Sequence, residues 1–342
     1  MSDDLKDDDE YLWSGTGTPD PEVARLESLL GRYQHQGTPP ALPDRAVRRR
    51  MLPIALTALT AAASLVLVAA AAWFGFMFRP SGWTVQSVEG TPRVAGAPVD
   101  QSLRFAVGET LITDAQSRAR LAVGDIGRVD VEPNSRLRLL ESRTGEHRMA
   151  LDRGRIRALI WAPPRNFFVD TPSAVAVDLG CAYTLDVDPR GWGLVHVMSG
   201  WVAFQHGKRE SFIPQDAVCA TRPRFGPGTP HYADAAPALV EALSILDFPS
   251  TENVNRTTAL ETVLGMSRRR DALTLWHLLS RGSPEERGRV YDRLVTLVAA
   301  PAGVTRDRIL AGDQQALDSW WNELGLDSAS WWRLWKSPWR DR

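Results

Sequence analysis

The chain has 342 residues with 40 Lys+Arg against 41 Asp+Glu, a formal net charge of -1, so it lacks the basic excess of a general nucleic-acid binder. That length is enough for two or three modules, each with a core of its own. Charge is nevertheless uneven along the chain: "MSDDLKDDDE" at the N-terminus is acidic, whereas "RAVRRR" at 45–50 is basic.

Residues 1–18 are acidic and rich in Gly and Thr, a composition that predicts no stable structure. "DPEVARLESLLGRY" then predicts a helix, with Asp20 as N-cap, Pro21 at its first position, Glu22 in the first turn and Gly31 near its end. Val23, Leu26, Leu29, Leu30 and Tyr33 fall on one face of it. A single amphipathic helix cannot bury such a face, which is therefore expected to dock on a cytoplasmic partner, a second copy or the membrane surface. "HQGTPPALPD" follows as a linker, because its three prolines break any helix.

Residues 52–78, "LPIALTALTAAASLVLVAAAAWFGFMF", carry no charge. About 20 apolar residues at 1.5 Å rise span the hydrocarbon layer, so this stretch predicts one transmembrane helix. Trp73, Phe74, Phe76 and Phe78 gather at one end, as an interfacial aromatic belt does. A cleaved signal peptide fits less well, because some 50 residues precede the run and it exceeds the usual apolar core of about 7–15 residues. Arginines concentrate on the N-terminal flank, which places residues 1–50 in the cytoplasm and the bulk outside. The expected organisation is a cytoplasmic arm at 1–50, a membrane helix at 51–79, an all-β domain at 82–228 and a helical module at 231–342.

From residue 82 the hydrophobic period becomes 2. Runs such as "ARLAV", "GRVDVEP", "GRIRALI" and "AVAVDLGCAYTLDV" alternate and are separated by Gly, Pro, Asn and Asp turns, which predicts an all-β domain. R-x-R pairs recur at near-equal spacing, Arg118/Arg120, Arg136/Arg138 and Arg155/Arg157. That recurrence suits stacked rungs of a β-solenoid or a roll of antiparallel and stacked short strands. Beyond residue 230 the period returns to helical; "SPEERGRVYDRLVTLV" opens on Ser283, Pro284 and Glu286, a capping box. The fold class is mainly β, with one membrane helix and a C-terminal α-helical module.

The β segment resembles the FecR domain, the extracytoplasmic part of bacterial transmembrane regulators. The matching residues are "VGETLITDAQSRARLAV", "VEPNSRLRL", "LDRGRIRALI", "FFVDTPSAVAVDLGCAYTLDVD" and "VHVMSGWVAF", with "VDTP", "DLG" and "SGWV" in the family's order across 108–204. Gly180-Cys181 stands where the family usually has Gly-Thr. The resemblance implies a single-pass protein of the bacterial inner membrane that senses a state outside and holds or releases an extracytoplasmic-function sigma factor, as an anti-sigma factor or an activator. It also implies a periplasmic or outer-membrane protein as the upstream partner. A different class competes: an envelope-anchored, non-catalytic binding module for an anionic polymer or a protein.

The remaining site readings come from residue types and spacing. Outside the cytoplasm, Cys181 and Cys219 are candidates for one disulfide if their strands are neighbours, and otherwise serve as two buried thiols. A zinc site from Cys181, His196, His206 and Cys219 lacks ligand spacing, and no metal or cofactor is expected. The six histidines are scattered and no H-E-x-x-H, G-x-S-x-G or phosphate loop occurs, so no enzyme is expected. The six arginines of the R-x-R pairs form either an anion-binding ladder or a solvated face balanced by Asp125, Asp130, Glu132 and Glu141. Trp332, Trp335 and Trp339 share a face interleaved with Arg333, Lys336 and Arg340, either an interfacial anchor or a helix closing the helical array.

Overall fold

The computed structural model describes residues 14, 16–33, 37, 82–248 and 255–326. The predicted membrane span at 51–79 and the tail tryptophans Trp332, Trp335 and Trp339 lie outside them. Among the described residues no helix is long and apolar enough to cross a membrane. The chain divides into two units, Met1–Phe74 and Gly75–Arg342.

In the first unit the predicted helix is present as α1 (Pro21–Leu30), followed by a 3-10 turn at Gly31–Tyr33. Asp20 caps it by accepting from the Glu22 amide at 2.7 Å, and Pro21 occupies the first turn, where a missing N–H costs nothing. No residue of α1 is buried; Leu26, Leu29, Leu30 and Tyr33 are 56, 44, 62 and 78% exposed.

The second unit is a two-layered β domain followed by helices. Sheet 1 takes, in spatial order, β4 (Ser102–Ala106), β1 (Gly82–Glu89), β6 (Arg118–Val123), β7 (Gly127–Val131), the second half of β9 (Glu146–Ile160), β12 (Ala182–Val187), β13 (Gly193–Ser199) and β16 (Ala217–Arg222). The short strands β17 (Gly226–Pro227) and β18 (His231–Tyr232) close its edge. Sheet 2 takes β3 (Ala97–Pro98), β2 (Arg93–Val94), β5 (Thr110–Ile112), β8 (Arg136–Arg143), the first half of β9, β10 (Phe167–Asp170), β11 (Val175–Asp178), β14 (Trp201–His206) and β15 (Arg209–Pro214).

β9 belongs to both layers and folds one onto the other. Its turning point is Gly154, at φ +101°, where an added Cβ would lie 2.4 Å from the Ser135 Cα. Only glycine meets both demands. Inward positions follow the predicted alternation: Val131, Ile156, Leu185, Val195 and Cys219 stand in register across five strands, each at most 1% exposed. Trp83 of sheet 1 meets Phe167 of sheet 2 at 6.0 Å between ring centroids.

The expected roll of antiparallel strands is present, but the solenoid of stacked rungs is not. Every strand pairing is antiparallel except β9–β10. The connections between β6 and β7, β8 and β9, and β14 and β15 are tight turns, and a parallel rung needs a crossover of about a dozen residues. The near-equal spacing of the R-x-R pairs reflects hairpin length, not rung height.

Among the described residues six α-helices follow: α2 (Pro237–Asp247), α3 (Arg256–Met266), α4 (Ala272–Leu279), α5 (Pro284–Leu297), α6 (Arg306–Leu310) and α7 (Gln314–Glu323). The capping box forms as expected: Ser283 Oγ accepts from the Glu286 amide, and Glu286 Oε2 accepts from the Ser283 amide at 2.9 Å. Trp276, Trp320 and Trp321 are buried, and Trp321 packs on Trp201 of β14 at 5.9 Å, so the helices share a core with the β domain.

Candidate functional site

The outward face of sheet 1 alternates charge across strands. β7 lies between β6 and β9, so its acids stand between their arginines. Arg118 pairs with Glu132 at 3.2 Å, Arg120 with Asp130 at 2.6 Å, and Arg155 with Asp186 of β12. Arg157, in register with Asp130 and Thr184, makes no ion pair among the described residues. The other two arginines of the predicted ladder do not join this face. Arg136 and Arg138 sit on β8 in sheet 2, where Arg136 pairs with Asp152 at 3.3 Å. Sequence spacing could not reveal that consecutive R-x-R pairs alternate between layers.

Between these pairs runs a shallow groove of about 370 Å³, walled by Arg155, Arg157, Thr184 and His196. It shares Asp186 and Leu194 with a cleft of about 340 Å³ between β13, β16 and α2. There the Arg222 guanidinium lies over Trp192 at 4.1 Å and over Phe248 at 4.5 Å, and its Nη2 donates to Ser244 Oγ at 3.1 Å. Burial, then the nearby Arg190, lowers the Arg222 pKa from its ordinary value. Such a wall of stacked aromatic and guanidinium groups suits binding. Among the described residues no three His, Cys, Asp or Glu side chains converge as a metal set. His196 points outward while its neighbour Val195 stands in register with inward Cys219.

The motif "DLGC" forms the elbow where the chain leaves sheet 2 for sheet 1. Asp178 is 1% exposed and ends β11; its Oδ1 accepts from the Gly180 amide at 2.7 Å and its Oδ2 from the Cys181 thiol at 2.9 Å. No cation among the described residues pairs with it, and burial pushes its pKa up to about 7 against those hydrogen bonds. Burial, then the charge of Asp178, pushes the Cys181 thiol well above its usual value. Tyr183 Oη is buried nearby without a hydrogen-bond partner among the described residues. Gly200, at φ +73°, closes the elbow: a Cβ there would lie 2.1 Å from the Gly180 carbonyl oxygen.

The expected disulfide does not form; both cysteines are free and buried. Cys219 on β16 is separated from β12 by β13, and its register partner across those strands is Leu185, four residues beyond Cys181. Two strand spacings and four strand rises put the two Cα atoms roughly 16 Å apart. A disulfide needs less than about 7 Å. Each sulfur instead has its own acceptor, Asp178 for Cys181 and the Gly228 carbonyl, at 3.3 Å, for Cys219.

A second buried polar cluster joins helices to sheet. Asp247, 5% exposed, accepts from Arg209 at 2.7 Å, from the Thr229 amide at 2.6 Å and from the Thr229 hydroxyl at 2.9 Å. Arg281 donates to the Glu210 carbonyl at 2.6 Å and stands 3.8 Å from Asp247. Burial lowers Arg281 to about 10, although Asp247 opposes the shift. His277 of α4 accepts from the Phe212 amide at 3.0 Å through Nε2 and bonds the Leu273 carbonyl at 2.8 Å through Nδ1. Burial, then Arg281, lowers it to about 3, so it is neutral. Side chains of the helical segment thus satisfy the outer edge of β15, which would otherwise offer unpaired amides. Neither Asp178 nor this cluster was found from sequence; the only signals were an acid closing an apolar alternation and a histidine inside "LTLWHLL".

Residues 109–203 match the family model described as FecR protein, just over a quarter of the chain. Two crystal structures titled as those of a "putative anti-sigma factor" from Parabacteroides distasonis ATCC 8503 are similar to it. The first has 14% identity and a TM-score of 0.33 over 39% of this chain and 63% of the other, so this chain spans just under two thirds of it. The second has 13% identity and a TM-score of 0.33 over 46% of this chain and 73% of the other. No curated protein matches the chain.

Proposed function

We propose that this chain, whose residues 109–203 are a FecR domain, is a single-pass regulator of the bacterial inner membrane that carries a periplasmic state to a cytoplasmic sigma factor. The observation that carries the reading is the position of that domain behind the charge-free run at 52–78, with the basic 45–50 segment on the other flank. Under the positive-inside bias, residues 51–79 cross the membrane and α1 lies in the cytoplasm. Its face of Val23, Leu26, Leu29, Leu30 and Tyr33 then docks on an extracytoplasmic-function sigma factor, in the manner of an amphipathic helix entering a groove. A periplasmic or outer-membrane protein acting on the β domain supplies the input.

Co-purification of full-length protein with the extracytoplasmic-function sigma factors of its own bacterium tests the reading. The double substitution L26D/L29D is expected to weaken that association by about tenfold or more, because apolar anchors dominate such interfaces. Equal recovery with wild type and variant would exclude α1 as the contact.

A second reading rests on Arg157, exposed in a groove of otherwise paired charges. An envelope-anchored module that binds an anionic polymer or an acidic protein surface would lose retention on a polyanion matrix in R157E, whereas the sigma association would be unaffected.

A further inference from the structure

The two ends of sheet 1 differ in a way the signalling reading does not use. At one end lie the turns with Glu89, Asp100, Asn134, Asp188 and Arg190, where Val88, at 55%, is the one large apolar side chain more than half exposed among the described residues of that end. At the other end lie Gly82, Val107, the β6–β7 turn around Asp125 and Ile126, and Trp161 just past β9, as the registers Gly82–Ala106, Val123–Gly127 and Gly127–Ile160 require.

Trp161 is 63% exposed, more than any other large apolar residue described in the β domain. Its ring is nonetheless held, because Nε1 donates to the Asp125 carbonyl at 2.9 Å. Val107, Leu159 and Met198 at the same end are 47, 36 and 37% exposed. Arg104 and Arg128 are exposed beside them and make no ion pair among the described residues, while Asp125 contributes the opposing exposed carboxylate.

We propose that this end of sheet 1 rests in the interfacial layer of the bilayer, with Trp161 as a fixed anchor and Arg104 and Arg128 facing lipid phosphates. The occupant follows from the chain itself. The charge-free run ends at Phe78, and four residue steps to Gly82 span at most about 14 Å. Trp161 lies three strand spacings from Gly82, roughly 14 Å across the same end. A rigid amphipathic ring with neighbouring guanidinium groups is the side-chain set favoured at headgroup depth. The proposal rests on the single-pass reading of 51–79. It goes beyond that reading in fixing which end of the β domain meets lipid.

The test uses the full chain in 3:1 phosphatidylethanolamine:phosphatidylglycerol vesicles, with a nitroxide at P163C or at D100C on the opposite end. Both native cysteines are buried, which leaves the introduced one as the reactive thiol. Collision with an aqueous nickel complex is expected to be severalfold lower at 163 than at 100, and W161A is expected to erase most of that difference. Carbonate-resistant protein with equal nickel access at 163 and 100 would overturn the docking proposal and leave the membrane span standing. Protein extracted by alkaline carbonate would overturn the span, and the docking proposal with it. The comparison of 163 with 100 in the wild-type background decides even if W161A does not fold.

Discussion

Asp178 and His277 are both buried and are neutral together only between about pH 3 and pH 7, yet they pull stability in opposite directions. Asp178 has its folded pKa raised from 3.8 to about 7, so its contribution is fully present below about pH 4 and is lost as pH rises through 7. His277 has its folded pKa lowered from 6.5 to about 3, so its contribution is full above about pH 6.5 and is lost as pH falls toward 3. Each shift corresponds to about 4 to 5 kcal/mol at most. The windows overlap, and in the wild type the two slopes largely cancel. D178N, which keeps an acceptor for the Gly180 amide, is expected to gain stability over wild type progressively from pH 4 to 7. H277Q is expected to lose the acid-side slope between pH 6.5 and 3. Urea unfolding at a series of pH values reads both; parallel profiles for wild type and D178N would contradict a buried, titrating Asp178.

The cysteines belong to the same scale. Chain denatured without reductant and treated with iodoacetamide is expected to gain two alkyl groups by mass, whereas a chain that gained none would contain the disulfide excluded by the register of β12, β13 and β16. In native protein both thiols are expected to resist reagent, because burial raises Cys219 to about 12 and pushes Cys181 well above its usual value.

Elements are held together by single residues at two places. At Gly154 β9 changes sheets, and G154A sets a Cβ against Ser135 at a positive φ; a loss of about 2 kcal/mol or more is expected in equilibrium unfolding. At the edge of β15, Arg281 and His277 bond the main chain of Glu210 and Phe212. R281M removes a buried cation while Asp247 keeps Arg209, and an unfolding cost of about 3 kcal/mol is expected. An unchanged midpoint would mean that the helices hold the sheet through the Trp201–Trp321 packing instead.

For the whole molecule, local rules carried the reading a long way. Period-2 alternation marked the β domain, and Asp20 and Ser283 marked helix starts, because alternation and capping depend on neighbours within a few residues. The R-x-R pairs were also legible as residues, but their division between two sheets was not, since strand pairing is decided by turn length and by Gly154 far along the chain. For the same reason the cysteines looked adjacent by strand type and proved to be two strands apart. The acid in "DLGC" and the histidine in "LTLWHLL" were visible as letters only; burial gave them their character, and burial is a property of the assembled layers. What the sequence by itself determined about this protein is therefore the kind of each described segment, helical or β, and with it the FecR resemblance. Which faces meet, which charges compensate and which edge is capped required the tertiary structure, because those outcomes depend on contacts between residues tens of positions apart.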